Sequence, residues 1–207
     1  MTNAEVPEPQ IFYTERIPNQ WNQMLAAQES LGEPGRSVLE GMTAVNATIR
    51  VDILDSDESY FLNVTHGRMQ AGEDASHPPF MTLRQSLGAY HRIASEAGDS
   101  AMALLGGLSG LAGEMKLTQQ RIDNLADVNG LMKFVVLGER GFELLTHFGT
   151  DPIPDEPATS ITVDEEAYRD LRSGDLNPQD AFMNGRIAIE GDMQLAMQLA
   201  LAAISPD

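Results

Sequence analysis

Cysteine is absent from this 207-residue chain, so disulfides, thiolate metal sites and a cysteine nucleophile are all excluded. Basic residues are also scarce, since 13 Lys and Arg stand against 31 Asp and Glu and the net charge is −18. Binding to the phosphates of nucleic acids or to an anionic bilayer requires Lys and Arg side chains, which this chain has in small number. We therefore expect no nucleic-acid partner. No run of about 18 uncharged apolar residues occurs, so we predict no integral membrane segment.

The N-terminus has no apolar core region of the kind that a signal peptide requires. Residues 1–10 include two glutamates and two prolines. We therefore predict a disordered tail over residues 1–10 and no secretory signal. The expected location is cytoplasmic.

The chain does contain an internal repeat. Residues 89–122 align without a gap on residues 167–200 and are identical at nine positions. A repeated supersecondary unit predicts two copies that pack closely together. We assign residues 11–117 to a first, degenerate repeat and residues 118–207 to a second, with a helix at about 114–128 shared between them.

Upstream of that alignment, two hairpins also match. Phe61–His66 aligns with Phe142–His147, which brings two histidines into register. In each copy every second residue of the strand before the turn is apolar, with Ile49, Val51 and Ile53 in the first and Met132, Phe134 and Val136 in the second. This period of two is typical of a strand with one buried face.

Helices are predicted after these hairpins. Thr82–Gln85 and Thr162–Glu165 both follow the capping-box pattern, and the first is expected to open a helix over Leu83–Ser95. Near the C-terminus, Asp192–Ile204 is apolar almost all round. Such a helix has to be covered on most sides or form the wall of an apolar cavity.

One long segment carries a family resemblance. Asp175–Leu199 contains Asn-Pro-Gln, then Ala-Phe, then Gly-Arg-Ile-Ala-Ile-Glu-Gly-Asp-Met-Gln-Leu-Ala-Met-Gln-Leu. In this order the motifs resemble the sterol carrier protein type-two family, and the likeness extends over Leu131–Ile204. In the first copy Gly107–Leu111 replaces the matching strand with a glycine-interrupted segment, which weakens it.

The resemblance implies an α+β fold with a mainly antiparallel sheet covered on one side by helices, and here with the unit duplicated in tandem. It also implies an apolar tunnel between sheet and helices that binds sterols, fatty acids or fatty acyl-CoA without catalysis and without a cofactor. Gln179 and Asn184 are the polar groups that could lie near a lipid head group, but hydrogen bonding to the backbone at helix ends explains them better. The apolar residues expected to line the tunnel are Phe134, Val136, Phe142, Leu144, Phe182, Met183, Ile187, Met193, Met197 and Leu201.

Other interpretations stay open at this stage. The same residues suit a closed core, and the last helix could mediate a homodimer in an interaction scaffold. The chain could also be an accessory subunit that presents a hydrophobic substrate to a partner enzyme. His66 and His147 lack further ligands at metal spacing, so we predict no metal site and no catalytic residue.

Overall fold

The computed structural model describes residues 6–33, 36–97, 118–173 and 175–204. The glycine-interrupted segment Gly107–Leu111 lies outside these residues, as do residues 114–117 of the expected shared helix. The elements are α1 (Pro9–Ile11), a π-helical segment (Phe12–Arg16), α2 (Ile17–Ser30), α3 (Arg36–Thr43), β1 (Ala47–Ile53), β2 (Glu58–Thr65), β3 (Arg68–Gly72), β4 (Pro79–Gln85), α4 (Leu87–Ala97), α5 (Gln119–Ala126), β5 (Gly130–Leu137), β6 (Phe142–Phe148), β7 (Thr159–Asp164), α6 (Glu165–Ser173), α7 (Pro178–Met183), β8 (Ile187–Gly191) and α8 (Met193–Ile204).

All the described strands join one eight-stranded sheet in the order β3-β2-β1-β4-β6-β5-β7-β8. Only β1–β4 and β5–β7 are parallel pairs, and the other neighbours are antiparallel. The predicted α+β class with a mainly antiparallel sheet is therefore confirmed.

The two halves of the sheet have the same local order. In each half a hairpin is followed by a strand parallel to its first strand and then by a helix, but in the first half the additional strand β3 comes before that parallel strand. Ile53 pairs with Gln85 in the first half, and Val136 pairs with Val163 in the second. In the helices that follow, the aligned Tyr90 and Tyr168 are both buried. Tandem duplication as the origin of this pattern stays a prediction, and so does the division at residue 117.

The hairpin alignment was wrong by three residues. Ile53 pairs with Glu58, whereas Val136 pairs with Phe142, so Phe142 corresponds to Glu58 and not to Phe61. Matching the return strands by residue identity implied a longer turn in the first hairpin, but that turn has four residues (54–57) and the second has five (137–141). His66 and His147 therefore do not occupy equivalent places.

The helix predicted over Leu83–Ser95 is also different. Residues Pro79–Gln85 form β4, because Met81 and Leu83 are buried in the sheet and tertiary burial outweighs the local capping pattern. The helix begins at Leu87, and the Ser86 hydroxyl accepts from the Ala89 N–H at 3.0 Å.

The second capping box is displaced in the same way. Thr162 lies within β7, and α6 begins only at Glu165. The Asp164 carboxylate, rather than Thr162, accepts from the Ala167 N–H at 2.6 Å. In both halves, then, the polar residue that caps the helix directly follows or ends the parallel strand.

One face of the sheet is apolar and the other is charged. Ile49, Met81 and Met132 belong to the buried cluster that the helices also enter. The opposite face has ion pairs instead, with Arg50 Nε 2.7 Å from Asp52 and Lys133 Nζ 2.8 Å from Glu143. The helices thus cover one side of the sheet, as predicted.

The N-terminal segment fills the apolar side of the first half. Phe12 and Tyr13 are buried against Tyr90, with ring centroids 5.6 and 5.8 Å away. The Tyr13 hydroxyl accepts from Gln85 Nε2 at 2.5 Å, and the Tyr90 hydroxyl donates to the Pro7 carbonyl at 2.5 Å. Residues 6–10 therefore pack on the fold where composition predicted a disordered tail.

Candidate ligand-binding site

Helix α6 covers the second hairpin through an aromatic cluster. The Tyr168 ring lies edge-on to Phe142 at 5.4 Å between centroids and 6.1 Å from Phe134. Tyr168 is one of the apolar-face residues of a strongly amphipathic helix that begins with Glu165 and Glu166. The glutamates suit the first turn because they face the positive end of the helix dipole.

Four of the predicted tunnel residues lie beneath this helix layer. Phe134, Val136, Phe142 and Leu144 occupy one face of β5 and β6, and each is at most 8% exposed. The protein's own side chains pack against them in the buried cluster. These residues form the sheet side of the candidate site.

The predicted residues on the last two helices are placed differently. Phe182 is 44% exposed and Met183 is 75% exposed at the end of α7, while Met193 and Met197 on α8 are 41% and 59% exposed. Ile187 on β8 is half-buried and packs against the cluster. The side chains of Gln179 and Leu201 lie outside the part of the chain that the structure describes, and Asn184 is exposed in the turn after α7.

Helix α8 has two apolar sides in different environments. Its N-terminus is fixed by Asp192, whose Oδ1 accepts from the N–H groups of Gln194 and Leu195 at 2.9 and 3.0 Å. Leu195 and Leu199 are buried, and Leu195 packs so closely on Gly130 that a Cβ there would lie 2.8 Å from it. The described residues therefore do not cover Met193 and Met197, and the alternative, that this helix forms the wall of an apolar cavity, stays a prediction.

A second feature of the site was missed by sequence reasoning. A cleft of about 410 Å³ lies between α4, α6 and the turn after β5, and four arginines line it. Arg169 and Arg172 are three residues apart and so lie on one face of α6. This spacing alone could have indicated that the two side chains are neighbours. The other two come from distant segments that only the fold brings together. The complete lining is Arg92, Arg140, Glu165, Tyr168, Arg169, Arg172 and Ser173.

Comparison with known proteins identifies the second half. The model of the SCP-2 sterol transfer family matches residues 123–203, from within α5 to the last turn of α8. This segment belongs to the SCP-2 family. The resemblance carried by Asp175–Leu199 is therefore confirmed, and the match contains every strand and helix of the candidate site from β5 onward.

Several solved structures are similar to parts of the chain. The sterol carrier protein domain 2 of Helicoverpa armigera is 28% identical, with 51% of this chain and 92% of that chain covered and a TM-score of 0.33. Sterol carrier protein 2 like 2 from Aedes aegypti is 24% identical over 37% of this chain and 74% of that chain, with a TM-score of 0.29. A UbiJ-SCP2 ubiquinone synthesis protein is 12% identical over 97% and 95%, with a TM-score of 0.28. No curated protein matches the chain.

The SCP-2 domain contains one buried histidine. His147 lies within β6 between Thr82 and Leu131 and is 3% exposed. Burial lowers the pKa of its imidazole, and the nearby charge of Asp151 opposes that shift only in part. His66, by contrast, is exposed in the turn after β2. The pair therefore does not form a repeated functional site.

Neither a metal centre nor a membrane anchor is visible in the described ranges. Across residues 6–33, 36–97, 118–173 and 175–204, no three His, Asp or Glu side chains converge as metal ligands would. Within the same ranges, every helix is too short or too polar to cross a bilayer.

Proposed function

We propose that this protein binds and transfers a hydrophobic ligand without chemical conversion, and that the ligand belongs to the sterol, fatty acid or fatty acyl-CoA class. The observation that carries the proposal is the SCP-2 family match over residues 123–203. The site would lie between the apolar face of β5–β6 and the helices α6, α7 and α8.

The exposed apolar side chains support this location. Nine large hydrophobic residues of the described chain are exposed, and four of them lie on α7 and α8. Three of those four are methionines, whose flexible, polarizable side chains adapt to ligands of irregular shape. A ligand seated here would remove from water the surface that the free protein leaves exposed.

The energy available from such burial is sufficient. Each methylene transferred from water contributes about 0.8 kcal/mol, so a long acyl chain gains on the order of 10 kcal/mol in gross terms. Micromolar affinity requires about 8 kcal/mol. The difference between these two free energies is small once the entropy cost of ordering the ligand and the side chains is subtracted. The site therefore has to fit the ligand closely and exclude most water.

We expect only the second half to bind a ligand, because the family match covers residues 123–203 and not the first half. In the first half Phe12, Tyr13 and Trp21 already occupy the apolar face, and each is at most 2% exposed. Trp21 is also fixed by its Nε1–H, which donates to the Gly67 carbonyl at 2.7 Å. The expected stoichiometry is therefore one ligand per chain.

Fluorescence titration tests the proposal. The double variant Met193→Gln, Met197→Gln should bind a fluorescent fatty acid or sterol roughly 10-fold more weakly than the unaltered protein, because two apolar contacts are lost. The matched control Leu31→Gln, Leu54→Gln changes two exposed leucines of the first half, 56% and 44% exposed, and should bind normally. Absence of binding to the unaltered protein at micromolar ligand would refute the function.

A second candidate is an interaction role, alone or as an accessory subunit for an enzyme with a hydrophobic substrate. The exposure of Met183, Met193 and Met197 favours it, since exposed apolar groups also suit a protein interface. Light scattering over a range of protein concentrations separates the two. A dimer that dissociates in the Met193→Gln, Met197→Gln variant, with no lipid binding by either protein, would favour the interaction role.

A further inference from the structure

We infer that the arginine-lined cleft between α4, α6 and the turn Gly138–Gly141 binds the anionic group of the ligand, a carboxylate or a phosphate. This inference deepens the proposed function and rests on it. It makes the preferred ligand an ionised amphipathic lipid and not a neutral sterol.

The charge of the cleft is opposite to that of the whole protein. Four of the chain's 13 basic residues line this one space, with a single carboxylate among them, although the net charge is −18. Arginine forms paired hydrogen bonds with carboxylate and phosphate oxygens, so several guanidinium groups around one cleft are suited to an anion. A cleft of about 410 Å³ accommodates such a group together with bound water.

The single carboxylate, Glu165, offsets only one of the four arginine charges, and it also holds the turn. Its Oε1 accepts from the backbone N–H of Arg140, and its side chain lies so near Gly138 that a Cβ there would be 2.7 Å from the Glu165 Cδ. Gly138 has φ of 133°, a conformation that favours glycine. Glu165 therefore positions the backbone beside Arg140, at the edge of the cleft that the four arginines line.

Two of the arginines on the cleft, Arg140 and Arg169, are held loosely by the protein. Within the described ranges the Arg140 side chain makes no ion pair, and Arg169 lies 3.5 Å from Asp170 with 71% of its side chain exposed. Asp170 also contacts Arg186 at 3.1 Å, so its charge is shared. A weak exposed contact of this kind is readily exchanged for a ligand oxygen.

Tyr168 connects the cleft to the apolar layer. The Arg172 guanidinium lies over its ring at 5.7 Å from the centroid, a cation–π arrangement that fixes the charge at the floor of the cleft. The same ring packs against Phe142 on its inner side. Tyr168 thus contacts a positive charge on one side and the apolar layer on the other. An ionised lipid, which has a charged head and an apolar chain, requires both kinds of contact close together.

The test compares an anionic and a neutral form of one lipid. The probes are cis-parinaric acid and its methyl ester, followed by fluorescence, and sodium pyrophosphate, followed by NMR amide shifts in the full chain. In the variant Arg140→Gln, Arg169→Gln the acid should bind roughly 10- to 100-fold more weakly, whereas binding of the ester should not change. The control Arg36→Gln, Arg68→Gln removes the same charge from exposed sites in the first half and should leave both affinities unchanged.

Each outcome separates the cleft from the proposed function. Equal loss of acid and ester, or no loss of either, in the cleft variant would overturn the inference while lipid binding stands. Pyrophosphate shifts confined to residues 138–141 and 165–173, lost in the cleft variant, would support the anion site even if neither lipid bound. No binding of acid, ester or pyrophosphate would reject both the site and the function. Circular dichroism spectra and thermal unfolding of both variants check that the folded state is retained.

Discussion

The buried contact between Tyr13 and Gln85 gives a quantitative test of how the first half is closed. Both side chains are at most 1% exposed, and the Tyr13 hydroxyl accepts from Gln85 Nε2 at 2.5 Å. The Gln85 Oε1 is also buried and has no hydrogen-bond partner. Removing one member of a buried polar pair leaves the other unsatisfied, which costs about 1–3 kcal/mol.

We expect strong non-additivity in the double-mutant cycle. Tyr13→Phe and Gln85→Leu should each lower the free energy of unfolding by about 1–3 kcal/mol. The double variant should lose less than about 1 kcal/mol, because both buried polar groups are then gone and the volumes are nearly kept. The coupling energy should therefore exceed about 1 kcal/mol in favour of the pair.

Urea unfolding followed by tryptophan fluorescence measures the cycle, since Trp21 lies in the same apolar layer. A suitable control is Tyr60→Phe, because the Tyr60 hydroxyl donates to Glu58 at 3.0 Å and not to Gln85. Its coupling to Gln85→Leu should be within about 0.5 kcal/mol of zero. Additive losses from Tyr13→Phe and Gln85→Leu would refute the view that a paired polar contact closes this half.

Further measurements concern titration and capping. The lowered pKa of His147 means that the unfolded chain binds this proton more readily, so stability should fall as the pH drops below about 6.5. Between pH 7.5 and 5.5 the loss of unfolding free energy is at most about 1.4 kcal/mol, and contact of the ring with solvent reduces it. Urea unfolding at both pH values should show a smaller loss in His147→Gln and an unchanged loss in His66→Asn. Burial, and secondarily the hydrogen bond to Glu58, raises the pKa of Tyr60 to about 12. Ultraviolet titration should therefore detect one phenol that ionises near pH 12, and this signal should be absent in Tyr60→Phe. Stability should fall as the pH rises from 10, where an unfolded tyrosine ionises. Asp192→Ala should cost about 1 kcal/mol in thermal unfolding, and Asp192→Asn much less, because only the first removes the cap of α8.

Local patterns predicted the elements whose partners are close in sequence. The alternation in Ile49–Ile53 and Met132–Val136 located β1 and β5, and the C-terminal motif located α7, β8 and α8. β4 could not be found this way, because Thr82–Gln85 looks like a helix start until its neighbours β1 and β6 bury it.

The candidate site was predictable only in part, for a related reason. The sheet residues Phe134 and Leu144 followed from their strand period and are buried as expected. The arginine cleft could not be predicted because Arg92, Arg140 and Arg169 come from three separate segments. Nor did composition show that Tyr13 would occupy the first half, since nothing local links residue 13 to Gln85.

The pairing of β4 with β6 has a consequence for how the SCP-2 domain can exist. Met81–Gln85 satisfy the outer backbone groups of Leu144–Phe148, so the family domain borrows its neighbouring strand from the other half of the chain. In a fragment beginning at residue 118, β6 would be an unpaired, apolar edge strand. Such an edge can pair with an extended peptide or with another copy of the fragment. We therefore expect the N-terminal half to protect this edge of the sheet from pairing with other chains.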